Sequence, residues 1–321
     1  MSLPSSEAGY RAAAYAAALA GIGRARPLGE TGGWVLERAI PGCDHTDLMG
    51  PYPLFACTDW AALGPAVAAL KRPVSAGTEP VSHPVSLTLV TDPFCPLGPD
   101  RLGAIFGLCR PLGDHYLIDL GQPAAPSKHH RKKLRRAGPA RIEAGPADPG
   151  LGPAFARLYA GLAEKKGIRD LRRFDADSLA AQLAVPGAHL VTAWAAETLI
   201  GADLYYLDAE VAHAHLSAYA PEGYDLSVSY PMMAAAQDYF APRAAFINLG
   251  GVPAEKSGAG EAGAGGGIGH FKRGWTDRSR PTFLCGAVLD RAAYDRLSAA
   301  RAPGSKPGTE WFPAYRAGEF G

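Results

Sequence analysis

Two short stretches near the C-terminal end of the chain combine glycines with a lysine and an aromatic residue. The first, Asn248-Leu249-Gly250-Gly251, ends the apolar run 244–249, a pattern typical of a buried strand that enters a tight turn. The second, 267–275, places Lys272 directly after Phe271 at the predicted start of the next ordered element. A lysine near a strand end is suited to stabilise an oxyanion or to contact a phosphate. A solvated surface lysine that follows a linker is the alternative.

The segment 128–136 is strongly basic and is predicted to be a helix. Six of its nine residues are Lys or Arg, and Ser127 directly before it is a typical N-cap. Like charges on one helix repel each other unless an anion lies against them, so the phosphates of a nucleic acid or nucleotide would suit this segment. A solvated basic face between domains is the alternative. A second basic cluster, 165–173, follows a predicted amphipathic helix over 153–166.

Two predicted neighbouring strands carry polar residues that share a face. Asp203 and Tyr205 alternate on one strand and are candidates to line a substrate pocket, although Asp203 could instead bond a backbone amide. His213 and His215 alternate on the next strand. Without a third ligand, structural histidines are favoured over a metal pair, and we expect no metal. The glycine-rich run 258–269 lacks the Lys-Ser/Thr of a P-loop, which favours a lid or a linker over a phosphate cradle.

The composition is that of a globular protein without a dominant charge. The chain has 321 residues, 47% hydrophobic and 20% charged, with a net charge of +1. This leaves room for two domains and restricts any nucleic-acid surface to a local patch. The five cysteines form no CxxC pair, which argues against a zinc ribbon or a disulfide framework and fits a reducing cytosol. The Ala-rich run 12–23 is too short and too weakly apolar to span a bilayer, so we expect a cytoplasmic protein without a membrane span.

The order of predicted elements indicates a mixed α+β fold. In the first part of the chain, helices and strands alternate around a turn-rich segment, 47–53. The predicted helices there are 5–22, 60–70 and 100–109, and the strands are 34–40, 85–90 and 115–120. In the second part we predict three consecutive strands, a helix, a strand, a helical turn with Lys272 and a last strand. Their ranges are 188–195, 199–207, 211–219, 226–240, 244–249 and 282–289. This second order is similar to the second half of a GNAT-type acyltransferase.

The chain resembles the Fem family, the aminoacyl-tRNA-dependent peptidyltransferases built from two GNAT-like domains. Pro51-Tyr52-Pro53 resembles the Pro-Tyr turn of the first domain, without its second Tyr, and 128–136 resembles the basic helix ahead of domain two. The segment 217–233 resembles the strand-to-helix segment that lines the acceptor site, with Tyr230 in the place of the family's tyrosine. The two glycine-containing stretches resemble the strand-Gly-Gly signature and the Phe-Lys-x-Gly-aromatic signature, of which the latter is the more specific.

The resemblance implies two tandem GNAT-like (acyl-CoA N-acyltransferase type) domains, each a mixed, mostly antiparallel sheet flanked by helices. Domain one would cover 1–138, with 290–321 packed back on it, and domain two would cover 139–289. It also implies a reaction in which a substrate amine attacks the ester carbonyl of aminoacyl-tRNA. Lys272 would stabilise the oxyanion and Phe271 would position the acyl end. No cofactor is expected, because the aminoacyl ester is already activated.

The resemblance also assigns the remaining candidate residues to the two substrates. The predicted residues for the tRNA or other phosphate are Lys128, Arg131, Lys132, Lys133, Arg135, Arg136, Arg169, Arg172 and Arg173. The predicted acceptor residues are Tyr52, Asp203, Tyr205, Tyr219, Tyr230, Asn248, Gly250 and Gly251. The basic residues would contact the acceptor stem of the tRNA or a nucleotide-bearing acceptor.

The chain lacks several sequence patterns of related enzymes, and this limits the activities that we expect. The segment 220–227 has one glycine and no arginine where a CoA-dependent GNAT needs a pyrophosphate loop. No Gly-x-Ser-x-Gly elbow occurs. No long heptad pair occurs between 180 and 230, so the helical arm of some peptidoglycan-bridge members is absent. We therefore expect aminoacyl transfer to a small molecule or peptide, as in peptide antibiotic biosynthesis. The alternatives are a CoA-dependent N-acyltransferase, a peptidoglycan interpeptide-bridge aminoacyltransferase and a non-catalytic RNA-binding module.

Overall fold

The structure is a computed structural model that describes residues 7–71, 83–252, 266–301 and 311–319. The chain separates into two compact units, each composed of two segments. Unit 1 consists of Met1–Gly9 and Gly113–Pro281, and unit 2 consists of Tyr10–Leu112 and Thr282–Gly321. The predicted boundary after residue 138 differs from this division. As a result, the basic segment 128–136, which the sequence assigned to domain one, lies in the same unit as Lys272.

Single strands and runs of consecutive strands are separated by helices along the chain. The strands are β1 (Arg24–Pro27), β2 (Trp34–Ala39), β3 (Thr46–Met49), β4 (Ser86–Val90), β5 (Leu108–Asp119), β6 (Arg141–Pro146), β7 (Ala188–Ala195), β8 (Thr198–Asp208), β9 (Val211–Tyr219), β10 (Phe246–Gly251) and β11 (Ser279–Val288). The helices are α1 (Ala13–Ala18), α2 (Leu63–Leu70), α3 (Pro99–Phe106), α4 (Lys128–Arg136), α5 (Gly152–Lys166), α6 (Ala176–Leu183), α7 (Pro221–Asp225), α8 (Ser229–Phe240), α9 (Gly266–Arg273) and α10 (Arg291–Arg301). Within the described residues, no helix is long and apolar enough to cross a bilayer.

The sheet of unit 1 has the strand order β5-β10-β9-β8-β7-β6. Strands β6 to β9 form an antiparallel meander, β10 is parallel to β9, and β5 is antiparallel to β10. The helix α8 lies in the connection that makes β10 parallel to β9. Every residue of β8 after Thr198 is buried, so both faces of the sheet are covered at its centre. Helix α5 packs on β8 and β9, and α8 packs on β6 and β7.

The sheet of unit 2 follows the same plan with fewer strands. Its order is β1-β2-β3-β4-β11, with β1 to β3 antiparallel, β4 parallel to β3, and β11 antiparallel to β4. The helix α2 lies in the connection between the two parallel strands. Each unit therefore has antiparallel strands, a helix-containing crossover to a parallel strand and a final antiparallel pairing. This topology confirms the predicted fold class, which was a mixed α+β chain of two tandem GNAT-like domains.

A buried ion network in unit 2 explains a strand that the sequence analysis missed. The segment 47–53 was predicted to be turn-rich, but Thr46–Met49 forms β3, because it pairs with β2 and β4. Asp47 is buried on β3 and accepts hydrogen bonds from Arg38 and from Arg316 of the C-terminal segment. Tyr315 donates a hydrogen bond to Asp47 as well. The residues 311–319 thus contact β3 through a fully paired buried carboxylate.

The cysteines that are distant in sequence come together in the core of unit 2. Cys57 and Cys285 are buried in this core, and Cys95 and Cys109 pack against it. All of them, and Cys43, are free thiols. Burial raises the pKa of the Cys95 thiol to about 11, and burial also raises the pKa of Cys57 and Cys285. These thiols are therefore protonated at neutral pH and act as small apolar side chains.

Several predicted element boundaries were wrong for local reasons. Within the described residues 7–22, the helix predicted over 5–22 is limited to α1 and a preceding 3-10 turn that begins at Gly9, which has a left-handed backbone. The helix predicted over 226–240 begins only at Ser229, as α8, because Ser227 has a φ of 56°. The short helix α7, which ends at Asp225, was not predicted. The strand predicted over 115–120 is the longer β5. The elements β1, β6, α6 and α10 were not predicted.

Candidate active site

The end of β10 turns sharply at the predicted glycine pair. Gly250 has a φ of 76°, a left-handed backbone that glycine adopts without strain, and the pairing of β10 with β5 is irregular between Asn248 and Gly251. The Gly250 N–H donates a hydrogen bond to Asn248 Oδ1 across this turn, at 2.9 Å. The side chain of Asn248 is buried and its amide is thereby oriented by the backbone.

Asn248 joins two histidines from the neighbouring strands. Its Oδ1 lies 3.2 Å from His115 Nδ1 on β5, and its Nδ2 lies 3.1 Å from His213 Nδ1 on β9. Since Oδ1 accepts and Nδ2 donates, His115 carries its proton on Nδ1 and His213 accepts through Nδ1. Burial, followed by the charge of Lys272, lowers the pKa of His115 to about 4. His115 is therefore a neutral imidazole at physiological pH.

Lys272 points at the same glycine pair from α9. Its Nζ donates a hydrogen bond to the Gly251 carbonyl oxygen at 2.5 Å, and a side chain at Gly250 would begin only 3.5 Å from Nζ. Burial lowers the pKa of Lys272 to about 8. Lys272 is thus a half-buried ammonium at pH 7 that is held at a strand end, not a solvated surface lysine. Such a group can stabilise negative charge that develops on an oxygen beside it.

The remaining residues of the Phe-Lys-x-Gly-aromatic stretch hold the basic helix. The His130 ring of α4 packs where a Gly274 side chain would be, since an ideal Cβ there would lie 2.0 Å from His130 Cε1. His130 Nε2 donates to the Phe271 carbonyl oxygen at 2.8 Å, and the Ser127 N–H donates to the Gly274 carbonyl oxygen at 2.8 Å. Trp275 is buried against His130. The glycine and the aromatic residue therefore fix α4 beside α9.

The predicted N-cap and the basic surface of α4 are both present. Ser127 Oγ accepts a hydrogen bond from the His130 N–H, which caps the helix. His130 is buried and anchors the helix, so most of the cations point away from the protein. Lys133 is half-buried, and its Nζ lies 3.4 Å from Ser227 Oγ. The exposed cations are Lys128, Arg131, Lys132, Arg135 and Arg136.

Aromatic residues lie between α4, α8 and α9. Tyr230 packs on Phe271 with their ring centroids 5.4 Å apart, so the structure brings together these two predicted site residues. The Tyr230 hydroxyl lies 3.4 Å from His129 Nε2, and the His129 ring lies 5.0 Å from that of His270. His129 of this cluster lies on the basic helix α4, and His270 and Phe271 lie on α9 with Lys272.

The second basic cluster follows the C-terminal end of α5. Arg169 and Arg173 are exposed and Arg172 is half-buried. The ends of α4 and α5 both contact the α7 region. The Gly138 N–H donates to the Leu226 carbonyl oxygen at 3.0 Å, and Lys165 Nζ lies 3.8 Å from the centre of the Tyr224 ring. The α7 region is therefore contacted both by the segment after α4 and by the C-terminal end of α5.

A cavity of about 640 Å³ opens between α5, the β7–β8 turn and α7. Tyr219 lines this cavity and donates a hydrogen bond of 2.6 Å to Asp203, so the aspartate bonds a side chain rather than a backbone amide. Burial raises the pKa of Asp203 to about 6. Tyr205 is buried beside it and packs on Phe240 of α8. The charged residues that line the cavity are Arg157, Lys165, Glu197 and Asp225.

The predicted acceptor residues therefore occupy separate places. Asn248, Gly250 and Gly251 meet Lys272, Tyr230 meets Phe271, and the cluster of Asp203, Tyr205 and Tyr219 adjoins the cavity. Tyr52 lies in unit 2, where its carbonyl oxygen accepts a hydrogen bond from the Tyr15 hydroxyl.

The predictions for the pair His213 and His215 and for the glycine-rich run can also be compared with the structure. His213 bonds Asn248 and His215 bonds Gln182, so each contacts a different partner. Among the described residues, no group of three or more His, Cys, Asp or Glu side chains could hold a metal ion. Most of the glycine-rich run 258–269 lies outside the described residues.

Three histidines of the candidate site were not identified from the sequence. His115 was predicted only as the first residue of a strand, His130 as part of the basic face, and His213 as a structural residue. An expected pairing of the strands 115–120 and 244–249 would have indicated that His115 faces the glycine pair. The anchoring role of His130 depends on a contact with Gly274 that is distant in sequence and leaves no local pattern.

Comparisons with known proteins identify the fold. No family model and no curated protein matches the chain. Among solved structures, FemX superposes with a TM-score of 0.61 at 13% identity over 88% of this chain and 93% of that chain. L-PGS from Bacillus licheniformis gives 0.56 at 11% over 88% of each chain. A conserved protein of unknown function from Bacteroides thetaiotaomicron gives 0.56 at 9%, over 89% of this chain and 93% of that one. At these identities the likeness is one of fold.

Proposed function

We propose that this protein is an aminoacyltransferase that forms an amide bond between an activated amino acid and a substrate amine. The observation that carries the proposal is the position of Lys272, a half-buried ammonium that converges with Asn248 and His115 on the Gly250-Gly251 turn. The attack of an amine on an ester carbonyl places negative charge on the carbonyl oxygen. An ammonium held at a fixed position beside that oxygen lowers the barrier without forming a covalent intermediate.

The proposed donor is aminoacyl-tRNA, which already carries an activated ester. The support for this donor is the basic helix α4, which His130 fixes to the Phe271 carbonyl and the Gly274 site on the Lys272 segment. The five exposed cations of α4 are therefore carried on a helix that is anchored to the segment with the candidate catalytic lysine. Phosphates of an acceptor stem bound along α4 would place the 3′ end of the tRNA near α9. Arg169, Arg172 and Arg173 would extend this surface beyond α7.

The proposed acceptor is a small molecule or a peptide with a free amine. The cavity at the end of β9 is large enough for a small ligand, and its aromatic wall includes Tyr219 and Tyr224. Asp203 beneath Tyr219 becomes anionic as the pH rises through about 6, which favours an ammonium group nearby. Peptide antibiotic biosynthesis is the proposed setting, and an interpeptide-bridge acceptor would use the same chemistry.

The residues at the start of α7 argue against acyl-CoA as the donor. The segment 220–227 contains Gly223 as its one glycine. An ideal Cβ at Gly223 would lie 2.3 Å from the Ile200 carbonyl oxygen, so close packing on β8 accounts for this glycine. The backbone there is not freed for a pyrophosphate cradle, and the segment carries no arginine.

The experiment that tests this function measures the donor directly. The protein is incubated with a pool of tRNAs charged with labelled amino acids and with an extract of the cells that produce it, with and without ribonuclease. We expect ribonuclease-sensitive transfer of label to a product that is not RNA. Transfer from labelled acetyl-CoA in the absence of transfer from tRNA would contradict the proposal and assign the protein to CoA-dependent acylation.

A further inference from the structure

His115 is a titratable group beside the glycine turn that has no role in the chemistry described so far. It lies on β5 directly opposite Gly251 in the strand register, and an ideal Cβ at Gly251 would lie 3.3 Å from His115 Nε2. The Gly251 carbonyl oxygen is the acceptor for Lys272 Nζ. The imidazole and the ammonium therefore converge on one residue, from β5 and from α9.

The hydrogen bonds around Asn248 determine which nitrogen of His115 can accept a proton. The backbone N–H of Gly250 can only donate a hydrogen bond, so the atom of the Asn248 amide that faces it must be the oxygen. That oxygen can only accept, so His115 donates to it through Nδ1–H. The lone pair of the neutral ring is consequently on Nε2, the nitrogen nearest Gly251. No hydrogen bond to this nitrogen occurs within the described part of the chain.

The surrounding charges keep this ring neutral. The titratable groups that face His115 are Lys272 on α9, His213 on β9 and Asp114 on its own strand. Burial and the ammonium of Lys272 disfavour the imidazolium more strongly than the hydrogen bond to Asn248 and the charge of Asp114 favour it, so the pKa of His115 is lowered to about 4. The Nε2 lone pair is therefore available over the whole physiological pH range.

We propose that His115 is the proton carrier of the transfer reaction, a role that rests on the proposed function. The amine nitrogen bonds to the ester carbonyl carbon, and the carbonyl electron pair moves to the oxygen beside Lys272. The excess proton of that nitrogen passes to His115 Nε2. As the ester C–O bond breaks, the imidazolium returns this proton to the departing ribose oxygen. The net change is one amide N–C bond for one ester C–O bond, and His115 is regenerated.

Asn248 and His213 have positioning roles in this scheme. Asn248 fixes the orientation of the His115 ring and its tautomer. Its amide oxygen accepts the hydrogen bond from His115 Nδ1–H, and the amide itself does not change charge. His213 orients Asn248 from the other side at 3.1 Å. Lys272 and His115 have different roles beside the same turn. As an ammonium at pH 7, Lys272 stabilises negative charge but has no lone pair to accept a proton, whereas the neutral His115 has a lone pair but no charge.

The first test requires no substrate and is therefore independent of the proposed function. Nitrogen NMR of protein labelled on its histidine rings, with His115→Gln for assignment, reports the protonation of each ring nitrogen. We expect His115 to carry a proton on Nδ1 and none on Nε2 from pH 5 to pH 8. A proton on Nε2, or a titration near the ordinary histidine pKa of about 6.5, would overturn the inference whatever the protein catalyses.

The second test measures transfer in variants under single-turnover conditions. His115→Gln retains an amide donor for Asn248 but no proton-accepting imidazole, and we expect its rate to fall by about 10²–10⁴-fold with unchanged tRNA affinity. In His115→Ala, added imidazole should restore part of the rate, which a purely structural role would not allow. His189→Ala is the matched control, since His189 is also a half-buried strand histidine that bonds one partner through Nδ1. Rates within threefold of wild type for His115→Gln, with Lys272→Ala still impaired, would overturn the role of His115 and leave the proposed function intact.

Discussion

At the scale of single residues, the proposed chemistry depends on the charge of Lys272. The ammonium is half-buried and its pKa is lowered to about 8 by burial, so it is mostly charged at pH 7. A lysine with this pKa loses its charge in a range where a solvated lysine keeps it. The charged form is the one that stabilises an oxyanion, so activity follows the protonated fraction.

We therefore predict that transfer by the wild-type protein declines as the pH rises through about 8. The measurement is the rate constant in the bound complex, with hydroxylamine as the acceptor because its amine is already neutral at pH 7. Lys272→Ala should be slow at every pH and should show no alkaline decline. A wild-type rate that stays constant up to pH 10 would mean that the charge of Lys272 has no part in the reaction.

The sequence was sufficient to identify some residues of the candidate site but not others. Lys272 and the glycine pair stand in local patterns, a strand that ends in two glycines and a lysine after an aromatic residue. These patterns were sufficient to predict that the strand turns at the glycines and that Lys272 lies on the next ordered element. His115 depends on the pairing of β5 with β10, two strands separated by more than 120 residues. Gly274 looks like a motif glycine, but its function is to admit the His130 ring, which is a tertiary contact.

At the scale of elements, the contact between α4 and α9 joins the basic surface to the segment that carries the candidate catalytic lysine. We predict that Gly274→Ala destabilises the protein by about 1–3 kcal/mol, because the new methyl group would overlap the His130 ring. It should also weaken tRNA binding by displacing α4. Denaturant unfolding and an RNA-binding titration at fixed salt measure the two effects.

Gly267→Ala is the matched control on the same helix. Gly267 is exposed, and an ideal Cβ there meets no atom within 4 Å. This substitution should leave stability unchanged or slightly raised, because alanine favours the helix over glycine. Equal effects of the two substitutions would contradict the anchoring role of His130.

The positive charge of α4 leads to a separate prediction about the salt dependence of tRNA binding. Replacing Arg131, Lys132 and Lys133 together by alanine should weaken tRNA binding and flatten its dependence on salt. Each lost phosphate contact removes about 0.7–0.9 from the slope of log affinity against log salt concentration. Arg291→Ala with Arg296→Ala on α10 is the control for loss of exposed charge. A slope that the triple variant does not change would exclude α4 from the RNA surface.

Elements were predictable where hydrophobic pattern and local caps agreed. The meander β7 to β9 has long apolar runs with short turns, and α4 has its Ser127 cap, so both were predicted at nearly their observed bounds. The strands β1 and β6 lie at the outer ends of the strand orders of their units, and neither contains a fully buried residue. Without a buried face they lack the alternation that identifies a strand. β3 contains Asp47, whose buried charge is paired by Arg38 on the neighbouring β2 and by Arg316 of the distant C-terminal segment.

At the scale of the whole molecule, the chain repeats one topology in two units. The order of strands and helices was sufficient to predict this α+β class, because a meander followed by a crossover to a parallel strand has few alternatives. The division between the units was not predictable from composition. Unit 2 takes its last strand and its C-terminal residues from beyond residue 281, and Arg316 reaches the buried Asp47.

The single-turnover rate of transfer from saturating aminoacyl-tRNA, compared between wild type and Lys272→Ala, tests the central claim most directly. We predict a loss of about 10²–10³-fold in rate with unchanged tRNA affinity, because Lys272 acts on the developing oxyanion and the cations of α4 hold the RNA. Arg273→Ala, which removes the neighbouring cation on α9, should retain most of the rate. A Lys272→Ala rate within threefold of wild type would contradict the account.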